Sequence, residues 1–281
     1  MKKELDFAGE VERSLNKAYR PEIWTKFVKA VKEFELILPN DKIAVCISGG
    51  KDSMLLAKLL QMLQKISDFP FELEYISMDP GYTKQNRKQI EENAKKLNIP
   101  IKFFETDIFD VTTVAGGNPC YLCARMRRGH LYAKAKELGC NKIALGHHKN
   151  DVIETTLMGM LFSGQIQGML PKLKSTNFEG MELIRPLYYV SENVIKNWRD
   201  KFDLKFLACA CKLTAGLAKG DTDSARHKTK QIIESLKTDI PDIEDHILKS
   251  ITNVQVDTMI EYKLHGERHN FLDDFKRDLK D

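Results

Sequence analysis

No apolar run in the 281 residues approaches the roughly 20 needed to cross a bilayer. The first twenty residues, MKKELDFAGEVERSLNKAYR, are charged throughout and lack the apolar core of a secretory signal. There is neither an internal repeat nor a low-complexity linker. Charge of one sign is scarcely in excess: 44 Lys and Arg against 40 Asp and Glu leave +4, which permits a polyanionic partner without demanding one. These absences argue against a membrane span, secretion and a repeat architecture, and the expected location is the cytoplasm. In that reducing compartment the six cysteines read as metal ligands, catalytic thiols or core residues, not as disulfides.

What is present is an alternation. Residues 21–37 carry a helical apolar period opened by Pro21. KIAVCI (42–47), FELEYISM (71–78), IKFFET (101–106) and KIALG (142–146) read as strands. Helical patterns follow them at about 52–64, 83–97, 124–138 and 150–162. MELIRPL (181–187) reads as a fifth strand, 192–203 as a crossover helix and LKFLAC (204–209) as a closing element. The order predicts an α/β fold, a parallel sheet with helices on both faces. From about 221 the pattern turns helical and highly charged. The expected organisation is an N-terminal helical segment at 1–38, a catalytic domain at 39–215 and a helical C-terminal extension at 216–281.

The densest chemistry lies in SGGKDS, residues 48–53, between an apolar strand and an apolar helix. Such a junction presents unpaired N–H groups at a helix N-terminus, a ready anion site. Gly49 and Gly50 let backbone approach a ligand, Ser48 and Ser53 add hydroxyls, and Lys51 adds a mobile positive charge. Walker A spacing is absent, so the device is a different one. The bland alternative is a tight turn with Asp52 or Ser48 as a helix cap.

Cys120-x-x-Cys123 precedes a basic helix and fits a redox pair, half a zinc site or half an iron–sulfur site. Its position after the third strand disfavours thioredoxin-like chemistry. Cys46, inside a strand, and Cys140, in a turn, read as structural thiols. Cys209 and Cys211 follow the last predicted strand and, on a strand, would face one side together. In GHHKND (146–151), Asp151 opens a helix and fits an N-cap. Arg125, Arg127 and Arg128 lie one turn beyond the cysteines, on a solvated face or against a phosphate.

SGGKDS after a buried strand resembles the pyrophosphate loop of the N-type ATP pyrophosphatase superfamily. SGGKDS, CYLCARMRRG and ALGHHKNDVIETTL in this order look like the tRNA 2-thiocytidine synthetase family, over roughly residues 20–215. The resemblance implies that residues 48–53 grip the ATP phosphates with Mg²⁺, with Lys51 and Asp52 among the catalytic residues. It implies that Ser77, Met78 and Asp79 lie on the adenine side, and that Gly146 and His147 line the nucleotide pocket. Asp151 becomes the acid–base or Mg²⁺-linked residue, and Arg127 a ligand of the α phosphate or the tRNA backbone. A [4Fe-4S] cluster on three cysteines is implied: Cys120, Cys123 and either Cys209 or Cys211, with Cys211 preferred. The family pattern Pro-Cys-x-x-Cys-Gly is replaced here by Ala208-Cys209-Ala210-Cys211-Lys212.

The implied reaction adenylates the C2 oxygen of cytidine 32 in tRNA and replaces it with sulfur delivered through the cluster. The implied partners are tRNA, a sulfur donor (a cysteine desulfurase or sulfide) and a second copy in a homodimer. The basic helix at 124–138 and RHKTKQ (226–231) are the expected RNA-facing surfaces, although both also fit solvated helix faces. Competing readings are 2-thiolation of a tRNA uridine, lysidine-type modification, and a non-catalytic nucleotide-binding redox sensor. The two-zinc-ribbon uridine branch carries additional C-x-x-C pairs at its termini, and this chain has none.

Overall fold

The computed structural model describes residues 5–106, 119–207 and 224–277, the side chains of 119–125, 274, 276 and 277 excepted. Strands β1 (Lys42–Cys46), β2 (Glu72–Asp79), β3 (Ile101–Glu105), β4 (Lys142–Ala144), β5 (Lys172–Lys174) and β6 (Glu182–Ile184) form one sheet in the order β3-β2-β1-β4-β6-β5. All neighbours pair parallel except β5, which runs antiparallel to β6. The helices are α1 (Phe7–Asn16), α2 (Thr25–Glu33), α3 (Lys51–Ile66), α4 (Lys84–Lys96), α5 (Pro119–Glu137), α6 (Lys149–Ser163), α7 (Glu192–Lys201), α8 (Ala225–Asp239), α9 (Ile243–Ser250) and α10 (Phe271–Arg277).

Successive strand side chains point to opposite faces, so each strand feeds two cores. Ile43, Val45, Tyr75 and Ile184 pack with Val11 and Leu15 of α1, Phe27 of α2, Leu55 and Leu59 of α3, and Trp198 of α7. Ala44, Cys46, Ile76, Ile143 and Leu183 pack on the other face against Tyr132 and Ala135 of α5. Helices therefore cover both faces, as the apolar runs predict. α3 is apolar nearly all round because it lies between sheet and outer helices. Its buried Lys58 reaches Glu12 of α1 at 3.2 Å, which anchors the N-terminal helix.

Several expectations need correction. The helix expected at 21–37 is a π turn (Arg20–Trp24) followed by the shorter α2, and α1 precedes it. Residues 204–207 form no strand, and 208–209 lie outside the described residues. The far edge of the sheet is occupied by β5 instead, while the Leu207 N–H donates to the Gly49 carbonyl at 3.3 Å. The C-terminal extension is not purely helical: β7 (Glu261–Leu264) and β8 (Glu267–Asn270) form an antiparallel hairpin between α9 and α10. Among the described residues no helix is long and apolar enough to cross a membrane.

Candidate functional site: a cleft at the strand-order switch

β1 and β4 are neighbours whose onward connections run to opposite sides of the sheet, and their carboxyl ends frame a crevice. Ligands of open α/β sheets gather at such a point. A cleft of about 420 Å³ occupies it, bordered by Ser48, Asp52, Ser53, Met78, Arg127, Gly146, His147 and Asp151.

The first wall is the turn from β1 into α3. Gly49 has φ +81°, and a Cβ there would lie 2.8 Å from Ile90 Cγ1, so glycine alone fits without strain. The α3 N-cap is Gly50, with no side chain capping the helix, which corrects the alternative that Asp52 or Ser48 caps it. The Ser48 N–H instead donates to Ser53 Oγ at 3.2 Å, and the two hydroxyls are also 3.2 Å apart. Asp52 Oδ1 is buried without a hydrogen bond. Lys51 does not border the cleft: its ammonium lies 3.1 Å from both Asp52 and Glu192. Burial disfavours that charge, but the two carboxylates outweigh it and raise the Lys51 pKa.

The second wall follows β4. Gly146 sits so close to α3 that a Cβ would lie 3.0 Å from the Ser53 nitrogen, which brings the two walls together. The N-cap of α6 is His148, not Asp151; Asp151 occupies the third helical position of a capping box, its carboxylate accepting the His148 N–H at 3.0 Å. Burial opposes ionisation of Asp151, yet the neighbouring His148 and its N–H, with His147 and Arg226, hold its pKa below the usual value. Met78 borders the cleft, whereas Ser77, one residue earlier on β2, points to the other face and buries an unpartnered hydroxyl. Asp79 is turned away, its carboxylate accepting the Gly81 and Tyr82 N–H groups and pairing with Arg87 at 2.7 Å.

Two functional candidates were invisible in the local pattern. Arg226 of α8 also borders the cleft, with Nη1 donating to Asp151 Oδ1 at 3.1 Å. The segment 226–231 thus points at least one charge inward, not only toward RNA. Glu192, opening α7, is the second partner of Lys51; burial opposes its charge, but Lys196, Lys51 and Lys230 bring its pKa down to about 2. Cys120 and Cys123 fall in the first turns of α5, and Cys209 and Cys211 lie outside the described residues. Positions 120, 123 and 127 share one stripe of α5 by helical spacing. Among the described residues no group of three or more His, Cys, Asp or Glu side chains is placed to hold a metal ion. Cys46 and Cys140 are buried, and burial pushes both thiols up, Cys140 to about 11, as structural thiols require.

Burial, with the Arg185 charge beside it, brings His147 down to about 4, so its imidazole is neutral at neutral pH. An unfolded histidine takes up a proton near pH 6.5. Between about pH 6.5 and 4 the unfolded chain therefore binds a proton that the folded chain refuses, and stability falls as pH falls. His147→Gln should remove part of that slope. Urea midpoints at pH 7 and pH 5 measure it, and an unchanged difference between wild type and variant would contradict the assignment.

A loop of this geometry, set at the switch point of a mostly parallel sheet, defines a class. The family model described as "PP-loop domain" matches residues 19–210, and the chain is a PP-loop protein. Curated relatives narrow the class. The tRNA-cytidine(32) 2-sulfurtransferase of Pelobacter propionicus is 34% identical over 85% of this chain and 87% of its own length. That of Citrifermentans bemidjiense is 35% identical over 80% of this chain and 88% of its own. The chain belongs to the tRNA-cytidine(32) 2-sulfurtransferase family. Among solved structures, the U34-tRNA thiolase NcsA from Methanococcus maripaludis with its [4Fe-4S] cluster shares the fold, with a TM-score of 0.64 at 22% identity over 84% of this chain and 80% of that one.

Proposed function

We propose that this chain is an ATP-dependent tRNA sulfurtransferase that converts cytidine 32 to 2-thiocytidine. The observation that carries the reading is the convergence of the 48–53 loop, Asp151 and Arg127 of α5 on one cleft. Relatives of that printed name, aligned over most of both chains, support the same substrate.

The C2 carbonyl oxygen of cytidine is a poor leaving group. In the proposed first half-reaction it attacks the α phosphorus of ATP, the bond to the β-phosphate oxygen breaks, and pyrophosphate departs. The capless N-terminus of α3, with Ser48 and Ser53, receives the phosphates. Lys51 exchanges Glu192 for phosphate oxygens, Met78 and Gly146 border the adenine side, and Arg127 faces the α phosphate. Neutral His147 and ionised Asp151 flank the reacting oxygen. In the second half-reaction a sulfur nucleophile adds to C2, the C2–O bond breaks and AMP leaves. Cytidine 32 belongs to the anticodon loop, where a base can enter a pocket without opening a duplex.

Two groups would assist. The unpaired, buried Asp52 Oδ1, on a residue that borders the cleft with Ser48 and Ser53, fits the oxygen chemistry of Mg²⁺, an ion bound by carboxylates together with substrate phosphates. The soft donors Cys120 and Cys123, three residues apart in the sequence of α5, fit a [4Fe-4S] cluster, with a third thiolate from Cys209 or Cys211. Such a cluster, held by three thiolates, supplies an iron with an open position for sulfur. The Leu207 N–H bond to the Gly49 carbonyl holds residue 207 against the phosphate loop.

Nucleoside mass spectrometry of tRNA from cells with and without the gene tests the reading. Loss of 2-thiocytidine, with 2-thiouridine unchanged, is the expected result; the opposite pattern would make the enzyme a uridine thiolase.

A further inference from the structure

The PP-loop match ends at residue 210, but the cleft continues beyond it. Arg226, the second residue of α8, is the extension's contribution to the cleft wall. Its Nη1 bonds Asp151, and its Nε lies 3.7 Å from Glu154 Oε2. One turn on, Lys230 approaches Glu154 at 3.5 Å and Glu192 at 3.6 Å. Glu192 holds Lys51, Lys51 holds Asp52, Asp52 faces His148 at 3.9 Å, and His148 faces Asp151 at 3.4 Å. These contacts close a ring that joins the extension to both walls of the cleft, with His148 entering it as the acceptor of the Asp151 N–H.

Within that ring Arg226 is the residue best able to change partner. Its side chain is 48% exposed, whereas that of Asp151 is 15% exposed and that of Glu154 4%. Among the described residues its one hydrogen bond is to Asp151, which engages one of its five N–H donors. Glu154 Oε2 is buried without a hydrogen bond, so Arg226 is held there by charge, not by a completed fork. Arg127, Arg128 and Arg226 border the cleft against two carboxylates, Asp52 and Asp151, and the balance favours an anion.

We propose that Arg226 is a phosphate-contacting residue of the nucleotide cleft: it turns from Asp151 to the triphosphate of ATP, so that nucleotide binding frees the Asp151 carboxylate. The inference rests on the reading of this cleft as the ATP site. It gives the C-terminal extension a direct part in nucleotide binding that the matched domain does not contain. The guanidinium fork suits phosphate oxygens, which a single ammonium would contact as a point charge.

The test compares ATP and adenosine binding to the full chain as wild type, Arg226→Gln and Arg226→Lys. Arg226→Gln should weaken ATP by about 10- to 100-fold, the loss of one charge-assisted hydrogen bond, and leave adenosine within about twofold. Arg226→Lys should fall between, again with adenosine unchanged, and it carries the test should the glutamine variant fail to fold. A parallel loss of ATP and adenosine would mean that Arg226 only props the cleft, which overturns the proposal. Unchanged ATP affinity with weakened tRNA binding would place Arg226 on RNA and overturn it too. Wild-type protein that binds tRNA but not ATP would overturn the ATP reading itself, and this inference with it.

Discussion

Lys51→Ala is expected to lower ATP-dependent turnover by at least about 100-fold, the scale on which removal of one preorganised charge from a reacting anion acts. The reason is local. Lys51 is held 3.1 Å from Glu192 and 3.1 Å from Asp52, at the entrance to a helix whose first N–H groups have no side-chain cap. With the ammonium gone, the departing pyrophosphate loses its mobile cation, while the Asp52 carboxylate loses its lysine partner beside it. The fold should survive, because Glu192 retains Lys196 at 3.0 Å and Lys230 at 3.6 Å. Release of AMP and pyrophosphate on adding tRNA is the readout, with circular dichroism and iron content as controls. Wild-type turnover in this variant would remove residues 48–53 from the phosphate site.

The second large effect concerns iron. Anaerobically purified protein is expected to be brown and to carry about four irons per chain, as a cubane requires. Cys120→Ser and Cys123→Ser should each abolish iron binding and thiolation, because two remaining thiolates hold such a cluster poorly. Cys211→Ser should do the same. Cys209→Ser should keep most of both, since the swap is nearly isosteric and loses mainly apolar transfer energy, about 1 kcal/mol. The reverse pattern would exchange the assignments of Cys209 and Cys211. Full iron in both single variants would move the third ligand elsewhere, and stoichiometric zinc without iron would replace the cluster by a structural zinc site.

Where the sequence foretold the molecule, the signal was local. β1 and β4 are short apolar runs, β2 carries Leu73, Tyr75, Ile76 and Met78, and Ser48–Ser53 and Gly146–Asp151 each lie within seven residues of a strand end. Where it did not, the signal was weak or distant. β5 is Lys-Leu-Lys, one apolar residue in three, and only its pairing with β6 makes it a strand. α1 buries Ala8, Val11 and Leu15 on one stripe, yet its charged remainder masked that stripe. The β7–β8 hairpin is written in EYKL and ERHN, where alternating charge reads as a helical surface. Arg226 reaches Asp151 across 75 positions, and Glu192 reaches Lys51 across 141. No periodicity records such a meeting; tertiary packing alone creates it.

The edge strand β5 bears on how the protein behaves when concentrated. An exposed edge offers unpaired backbone groups to any passing strand and is a common origin of aggregates. Here the edge is only three residues long, and two of them, Lys172 and Lys174, are charged. Replacing both lysines by valine would leave the nucleotide cleft untouched and give the sheet a sticky flank. The β5 border of the sheet is thus charged by Lys172 and Lys174, two residues that do not border the cleft.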